Sequence, residues 1–364
     1  MKNILFVITR LGGGGAERIM CYIIQTLSNF PQFQITILLL KRDGNTYLSS
    51  LPKNVNIKYL DISGRIRYNV LKIFWSIIKL KPNVCFCGLD KLNFLLAPFL
   101  PILKLYNIKT IVRETNVLSC QYPKPNFAVK NIYRIFYNMY DRIIAQSDDM
   151  MEDLINNWGI KRKKIIKINN PVDIHKIDTL ANQTPKFILD GRKKNFIMIG
   201  RLTHQKGYDI LFNQLSKLDD NIPYHIYILG TGELENELKL MLRDQNLQNK
   251  ITFCGYCENP YAEIKQSSGL ILASRYEGFP NVLLEANAIG KPIFTNNCPG
   301  GINEIVIDGV NGFVCNFNNP NSFKEGFIKF NDYHFDESRI KRMTELRYDI
   351  AIIMPSYIKI FEDI

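Results

Sequence analysis

The sequence predicts an α/β protein made of two doubly wound domains, and three observations carry that prediction. The chain has 364 residues, more than one ordinary core accommodates and suited to two domains of about 150–200 residues each. Short continuous apolar runs such as Asn3–Thr9, Val84–Cys87 and Gly269–Ala273 alternate with helix-length segments through both halves. That is the pattern of buried parallel strands joined by crossover helices. Glycines also cluster just after several of the apolar runs, at Gly12–Gly15, Gly230-x-Gly232 and Gly278, where a parallel sheet turns into the following helix. No repeat of fixed short period is present.

Along the first half, Asn3–Thr9 is a buried strand, Gly12–Gly15 a loop and Ala16–Leu27 a helix. Strand, glycine loop and helix let backbone approach a phosphate. A dinucleotide fingerprint needs a third glycine three residues after the second, where Glu17 or Arg18 stands. The second strand, Gln34–Leu40, ends at Lys41-Arg42, where a nicotinamide-dinucleotide site prefers an acid. Strands follow at Asn54–Leu60, Val84–Cys87 and Ile108–Val112, with a helix over Tyr68–Leu80, a loop at Gly88–Lys91 and an apolar helix from Leu92. The third of these strands ends in Arg113-Glu114-Thr115-Asn116, polar residues at the carboxyl end where ligands of such sheets bind. Ile143–Asp149 is a strand and turn, and Ile165–Ile168 a last strand before Asn170-Pro-Val-Asp173. The first domain is therefore placed at 1–173 and a polar linker at 174–194.

The second domain, 195–345, opens with the strand Phe196–Gly200 and continues as Arg201-Leu-Thr-His-Gln-Lys206-Gly207, with a helix from Tyr208. Strands at Tyr224–Leu229, Ile251–Gly255, Lys291–Thr295 and Asn311–Val314 complete the sheet, and Arg347–Ile364 reads as a helix interrupted at Pro355. The domain is organised around Ser274–Pro292, which follows the strand Gly269–Ala273. Gly278-Phe279-Pro280 opens a helix over Asn281–Ala288, with Pro280 suited to its first position, and Gly290 and Pro292 stop it. The free N–H groups of that first turn attract anionic oxygens. Glu277 and Glu285 can accept hydrogen bonds from sugar or ribose hydroxyls. Arg201 offers a fork that matches phosphate oxygens, and Lys206 a point charge. A phosphate-binding end beside a hydroxyl-reading end suits a nucleotide-sugar. Its base is placed near Phe253–Tyr256, with Gly230 letting the chain approach.

Composition sets bounds. Apolar residues make up 46% and charged residues 22% of the chain, which are globular values. The formal net charge of +12 is uneven: residues 1–175 carry 25 Lys/Arg against 11 Asp/Glu, the remainder 21 against 23. A basic half calls for an anionic partner such as a membrane surface, a phosphorylated lipid or nucleic acid. No secretory leader or standard membrane-spanning segment is evident. Cys85-x-Cys87 and Cys254-x-x-Cys257 lack the second pair or nearby histidine of a zinc site. A reducing cytosol is expected. The adjacent acids Asp148-Asp149 and Asp219-Asp220 read as turns and not as a metal-ligand pair.

Glu277-x7-Glu285, with Gly278-Phe279-Pro280 between, closely resembles the paired-glutamate element of glycosyltransferase family 4. The match is best over 196–314, good at 12–18 and weak over 45–140. The resemblance implies a GT-B fold of two Rossmann-like domains facing each other across a cleft, and a transferase that retains anomeric configuration. It implies that Arg201 and Lys206 bind the donor diphosphate, without a metal or other cofactor. Glu277 acts at the donor, Glu285 at the ribose, and Gly14 and Gly15 face the donor phosphate and sugar. Gly230, Phe253, Gly278, Phe279, Pro280 and Asn281 complete the donor-binding set. A C-terminal helix, 346–364, is expected to cross back to the first domain. Many relatives place a histidine at the end of the strand matching 108–112. This chain has Arg113-Glu114-Thr115-Asn116 there, similar to segments in relatives that handle N-acetylated sugars on lipid carriers. Arg113, Glu114 and Asn116 are accordingly the acceptor-side residues. Glu114 is a positioning residue or a base, or forms a structural pair with Arg113.

Together these readings predict a hexosyltransferase using a UDP-linked sugar, with a lipid-linked saccharide as acceptor, in O-antigen, capsule or similar polysaccharide synthesis. Segments 65–81, 91–106 and 124–142 mix Lys/Arg with aromatic and apolar residues, a composition suited to an anionic membrane interface. The expected location is the cytoplasm, peripheral on the inner face of the plasma membrane, with no nucleic-acid partner. The alternatives are a soluble GT-B enzyme with a small acceptor, and a non-catalytic nucleotide- or nucleic-acid-binding protein. The latter leaves Arg201, Lys206, Glu277 and Glu285 unexplained as a set.

Overall fold

A computed structural model describes residues 1–88, 90–191, 193–219 and 221–364. Leu89 of the expected 88–91 loop, Arg192 of the expected linker and Asp220 of the expected turn lie outside the described residues. The chain divides into two compact units, residues 1–171 with 350–364, and residues 172–349. Among the described residues no helix is long and apolar enough to cross a membrane.

The first unit contains β1 (Lys2–Ile8), α1 (Gly15–Ser28), β2 (Phe33–Leu39), β3 (Asn56–Tyr59), α2 (Val70–Leu80), β4 (Val84–Cys87), α3 (Asp90–Leu96), α4 (Leu100–Leu105), β5 (Lys109–Arg113), α5 (Leu118–Gln121), α6 (Phe127–Phe136), β6 (Arg142–Ala145), α7 (Asp148–Asn156) and β7 (Ile165–Lys167). Its strands form one parallel sheet in the order β3-β2-β1-β4-β5-β6-β7. Alternate residues serve opposite faces: Leu5 and Val7 join one buried cluster, Ile4, Phe6 and Ile8 the other. That two-sided burial is why β1 reads as an unbroken apolar run.

The second unit contains α8 (Ile174–Ala181), β8 (Lys194–Ile199), α9 (Tyr208–Leu215), β9 (Tyr224–Leu229), α10 (Glu235–Asp244), β10 (Ile251–Gly255), α11 (Tyr261–Gln266), β11 (Gly269–Leu272), α12 (Asn281–Ala288), β12 (Ile293–Asn296), α13 (Ile302–Ile305), β13 (Gly312–Cys315), α14 (Pro320–Asp332) and α15 (Glu337–Tyr348). Its parallel sheet runs β10-β9-β8-β11-β12-β13. In each unit the strand order reverses beside the first strand, between β1 and β4 and between β8 and β11. Ligands of open parallel sheets bind beyond the carboxyl ends at such a reversal.

The last helix, α16 (Ile350–Asp363), belongs to the first unit. It buries Ile353, Met354, Tyr357, Ile360 and Phe361, and the Phe361 ring packs 6.0 Å from Phe6 and 5.7 Å from Phe86. The expected interruption at Pro355 does not occur: Pro355 lies inside α16, and the break falls at Asp349. Proline in a helix costs about 3 kcal/mol, which burial of five side chains at about 1.5–3 kcal/mol each outweighs. The stretch expected as a polar linker contains α8, capped by Asp173 through its side-chain bond to the Lys176 N–H. Asp148 and Asp149 do not form a turn; they open α7 behind the Ser147 cap, where negative charge is favoured.

Candidate active site

At the reversal in the second unit, β8 and β11 release the two segments that the sequence singled out. Lys206 sits in a short turn, His204–Lys206, ahead of α9. Its Nζ lies 2.6 Å from Glu277 Oε1, forming an ion pair with both side chains largely buried. The Ser274 hydroxyl donates to the same oxygen at 2.6 Å, and the Asn296 amide donates to the Ser274 carbonyl at 3.0 Å. The Tyr208 hydroxyl donates to the Gly200 carbonyl at 3.1 Å. Burial, and then the Glu277 charge, push that phenol well above its ordinary value, so it stays protonated.

Glycines bring these loops together. Gly207 has φ 64°, and a Cβ there would fall 2.1 Å from the Ala273 carbonyl oxygen. A Cβ on Gly230 would fall 1.9 Å from the Gly200 carbonyl oxygen. Gly230 thus packs the β9 loop onto the β8 loop. Arg201 is exposed at the carboxyl end of β8. α12 starts at Asn281, with Pro280 at the cap in an extended conformation (ψ 107°). Pro280 therefore stands one residue before the first helical position expected for it. Glu285, one turn into α12, is as buried as Glu277. The Lys206–Glu277 ion pair thus joins the segments that follow β8 and β11, with Arg201 exposed just after β8 and Glu285 buried in α12.

Two donor-set residues turn their rings elsewhere. The Phe279 ring is buried 5.6 Å from Tyr348. Phe253 packs edge-on to Phe212, with Lys239 over its face. The Gly278 carbonyl between them in the donor set accepts from the Gly301 N–H at 2.8 Å.

In the first unit, Gly14 caps α1 and Gly15 is its first residue. A Cβ on Gly14 would meet the Glu17 carboxylate at 2.3 Å, so Glu17 folds back over the helix start. Arg113 ends β5 and Glu114 follows it, but both side chains are buried. Arg113 donates to the Asn170 side-chain oxygen and, at 3.2 Å, to the Tyr357 hydroxyl of α16. Glu114 Oε1 accepts from Asn93 at 2.9 Å and from Tyr137 at 3.0 Å. Arg113 is thus tied to Asn170 and to α16, and Glu114 to Asn93 and Tyr137. Asn116 is half-buried on the loop beyond. The Ser-x-x-Glu spacing of Ser274 and Glu277 was available in the sequence as a signal. The Asn93, Tyr137 and Tyr357 partners carried none, since they come from distant helices.

Two family profiles span nearly the whole chain, "Glycosyltransferase Family 4" over residues 13–176 and "Glycosyl transferases group 1" over residues 181–344. The chain belongs to glycosyltransferase family 4 and has the GT-B fold. One relative is the Campylobacter jejuni N-acetylgalactosamine-N,N'-diacetylbacillosaminyl-diphospho-undecaprenol 4-alpha-N-acetylgalactosaminyltransferase, 27% identical over 90% of this chain and 89% of its own. Another is the Escherichia coli UDP-Gal:alpha-D-GlcNAc-diphosphoundecaprenol alpha-1,3-galactosyltransferase, 30% identical over 52% of this chain and 51% of its own. Among solved structures, a glycosyltransferase from Rickettsia africae superposes with a TM-score of 0.79 at 19% identity, over 100% of this chain and 98% of that one. The protein is a glycosyltransferase.

Proposed function

We propose that this glycosyltransferase moves a sugar, an N-acetylated hexosamine, from a UDP-linked donor to a lipid-linked saccharide in surface-polysaccharide synthesis, with retention and without a metal. The observation that carries the reading is the Lys206–Glu277 ion pair at the β8/β11 reversal, beside exposed Arg201 and the start of α12. Charge builds on the leaving diphosphate as the glycosidic bond breaks, and fixed cations stabilise it. When the diphosphate binds, Lys206 exchanges Glu277 for phosphate oxygens. Glu277 is then released to accept hydrogen bonds from the donor sugar, while Glu285 accepts from the ribose. In a front-face reaction a donor phosphate oxygen takes the acceptor proton. Glu114, fastened by Asn93 and Tyr137, then acts as a positioning residue. Two relatives whose names specify diphospho-undecaprenol acceptors support the lipid-linked acceptor, and the second specifies a UDP donor.

The basic first unit supports peripheral attachment to the inner face of the plasma membrane. Tyr68 just before α2, Leu71 and Trp75 in α2, Leu105 and Tyr106 at the end of α4, and Phe127 and Ile135 in α6 are exposed. Lysines 72, 79, 124 and 130 lie in the same segments.

The test is turnover with a panel of nucleotide-sugars, with Arg201→Ala, Lys206→Ala and EDTA as arms. Losing the cationic partner of a bound phosphate costs about 2–5 kcal/mol, so both variants should lose nearly all activity while EDTA leaves it. Full activity in both variants would overturn the diphosphate assignment. Loss in EDTA restored by manganese would overturn metal independence.

A further inference from the structure

We infer that Arg275, with Asp209, is a positioning pair that sets the distance between Lys206 and Glu277; the inference rests on the donor site proposed above. Lys206 and Glu277 come from segments about 70 residues apart in sequence, and the turn carrying Lys206 is only three residues long. Such a turn does not hold a lysine in place by itself. Arg275 ties it down on both sides. Its guanidinium donates to Asp209 Oδ1 at 2.9 Å and Oδ2 at 2.6 Å, beyond Lys206, and to the His204 carbonyl at 2.6 Å, before it. The Arg275 backbone N–H donates to the Gln205 carbonyl at 2.8 Å. Gln205 returns a bond from its side chain to the Tyr276 carbonyl at 3.0 Å.

Arg275 lies between Ser274, which donates to Glu277, and Glu277 itself. One side chain thus couples the position of the cation to that of the carboxylate. Three acceptors in two directions require the planar fork of arginine; lysine supplies a single point of charge. Burial alone would raise the Asp209 carboxyl, but the hydrogen bonds and charge of Arg275 bring it below its ordinary value, helped by the N–H groups of Asp209 and Ile210. Asp209 is therefore ionised and gripped on both oxygens at neutral pH. Neither residue is assigned contact with the donor, so both act through Lys206 and Glu277.

The experiment measures UDP binding by calorimetry and thermal unfolding on the full chain. The proteins are wild type, Lys206→Ala, Arg275→Gln, Arg275→Lys, Asp209→Asn, and Arg275→Ala with and without added guanidinium chloride. A lost hydrogen bond to a charged group corresponds to roughly a tenfold change in affinity or more. Arg275→Gln should weaken UDP binding by about that factor, with Arg275→Lys and Asp209→Asn intermediate. Millimolar guanidinium, but not equivalent sodium chloride, should restore affinity to Arg275→Ala. A purely structural role would lower the unfolding temperature and leave the affinity of folded protein unchanged. If Lys206→Ala weakens UDP binding but Arg275→Gln does not, the inference falls and the donor site stands. If wild type does not bind UDP, or Lys206→Ala binds it equally well, the donor-site reading falls and this inference with it.

Discussion

A single methyl group at Gly207 probes the geometry of the cation–carboxylate centre. Two costs add in Gly207→Ala. The residue has φ 64°, and a left-handed conformation costs a residue with a Cβ roughly 1–2 kcal/mol. The new Cβ would also lie 2.1 Å from the Ala273 carbonyl oxygen, where real contacts keep at least 3.0 Å. Backbone must therefore give way by most of an ångström, and overpacking of this kind costs about 1–3 kcal/mol. The total is about 2–5 kcal/mol. Gly309→Ala is the control: its φ is 72°, but the nearest atom to its Cβ, the Tyr333 hydroxyl oxygen, is at 3.7 Å. It should show the conformational cost without the steric one. The displacement in Gly207→Ala pushes the Lys206 turn away from the strand that leads to Glu277, lengthening the 2.6 Å ion pair. Unfolding of both variants and calorimetric titration with UDP read the two consequences. Gly207→Ala should be less stable than Gly309→Ala by about 1–3 kcal/mol, and UDP affinity should fall only in Gly207→Ala. Equal destabilisation of the two variants, with UDP binding intact in both, would refute the reasoning.

Three further outcomes are expected. Glu285→Ala should weaken binding of bare UDP, whereas Glu277→Ala should impair use of the whole sugar donor and spare UDP; equal loss of UDP affinity in both would show the roles are misassigned. His225 is held below its ordinary value by burial and then by the Lys193 charge. It therefore contributes stability that is present above its unfolded pKa of about 6.5 and lost as pH falls through the lower folded value. Melting temperatures at pH 7.5 and pH 5 should differ less in His225→Gln than in wild type, and an unchanged difference would count against the assignment. Each basic residue near an anionic surface contributes roughly 1 kcal/mol. Changing Lys72, Lys79, Lys124 and Lys130 to Glu should weaken salt-sensitive binding to anionic vesicles and leave UDP affinity unchanged. Indifference of the wild type to such vesicles at low salt would favour a soluble acceptor.

The parallel strands were legible because burial on both faces leaves a continuous apolar run, as β1, β4 and β11 show. α12 was legible, with Pro280 one position off, since Pro280, Gly290 and Pro292 punctuate it. Glu277 and Glu285 could be singled out because they lie in one local stretch. Elements set by tertiary packing were not legible. α16 runs through Pro355 because five buried side chains hold it, and α8 lies within a stretch whose polar composition suggested a linker. Arg113 was legible as a residue at a strand end, but its partners were not. Its burial depends on Asn170 and Tyr357, 57 and 244 residues away. The ring orientations of Phe253 and Phe279 were not legible, because which way an aromatic ring turns is decided by the core beside it.

The placement of α16 has a consequence for how the protein is made. Phe361 packs against Phe6 and Phe86, and Tyr357 bonds Arg113, so the first unit is finished with residues translated after the whole second unit. Domains generally fold as they emerge, earliest first. Here the order is inverted: the later-made unit is continuous in sequence and can close while the earlier one still exposes a cluster meant for α16. A nascent chain must carry that open apolar face through the synthesis of 172–349, a period in which chaperones have a binding site that the mature enzyme lacks. A ribosome that stops short of Ile350 releases a polypeptide with a complete second unit and an unsealed first one.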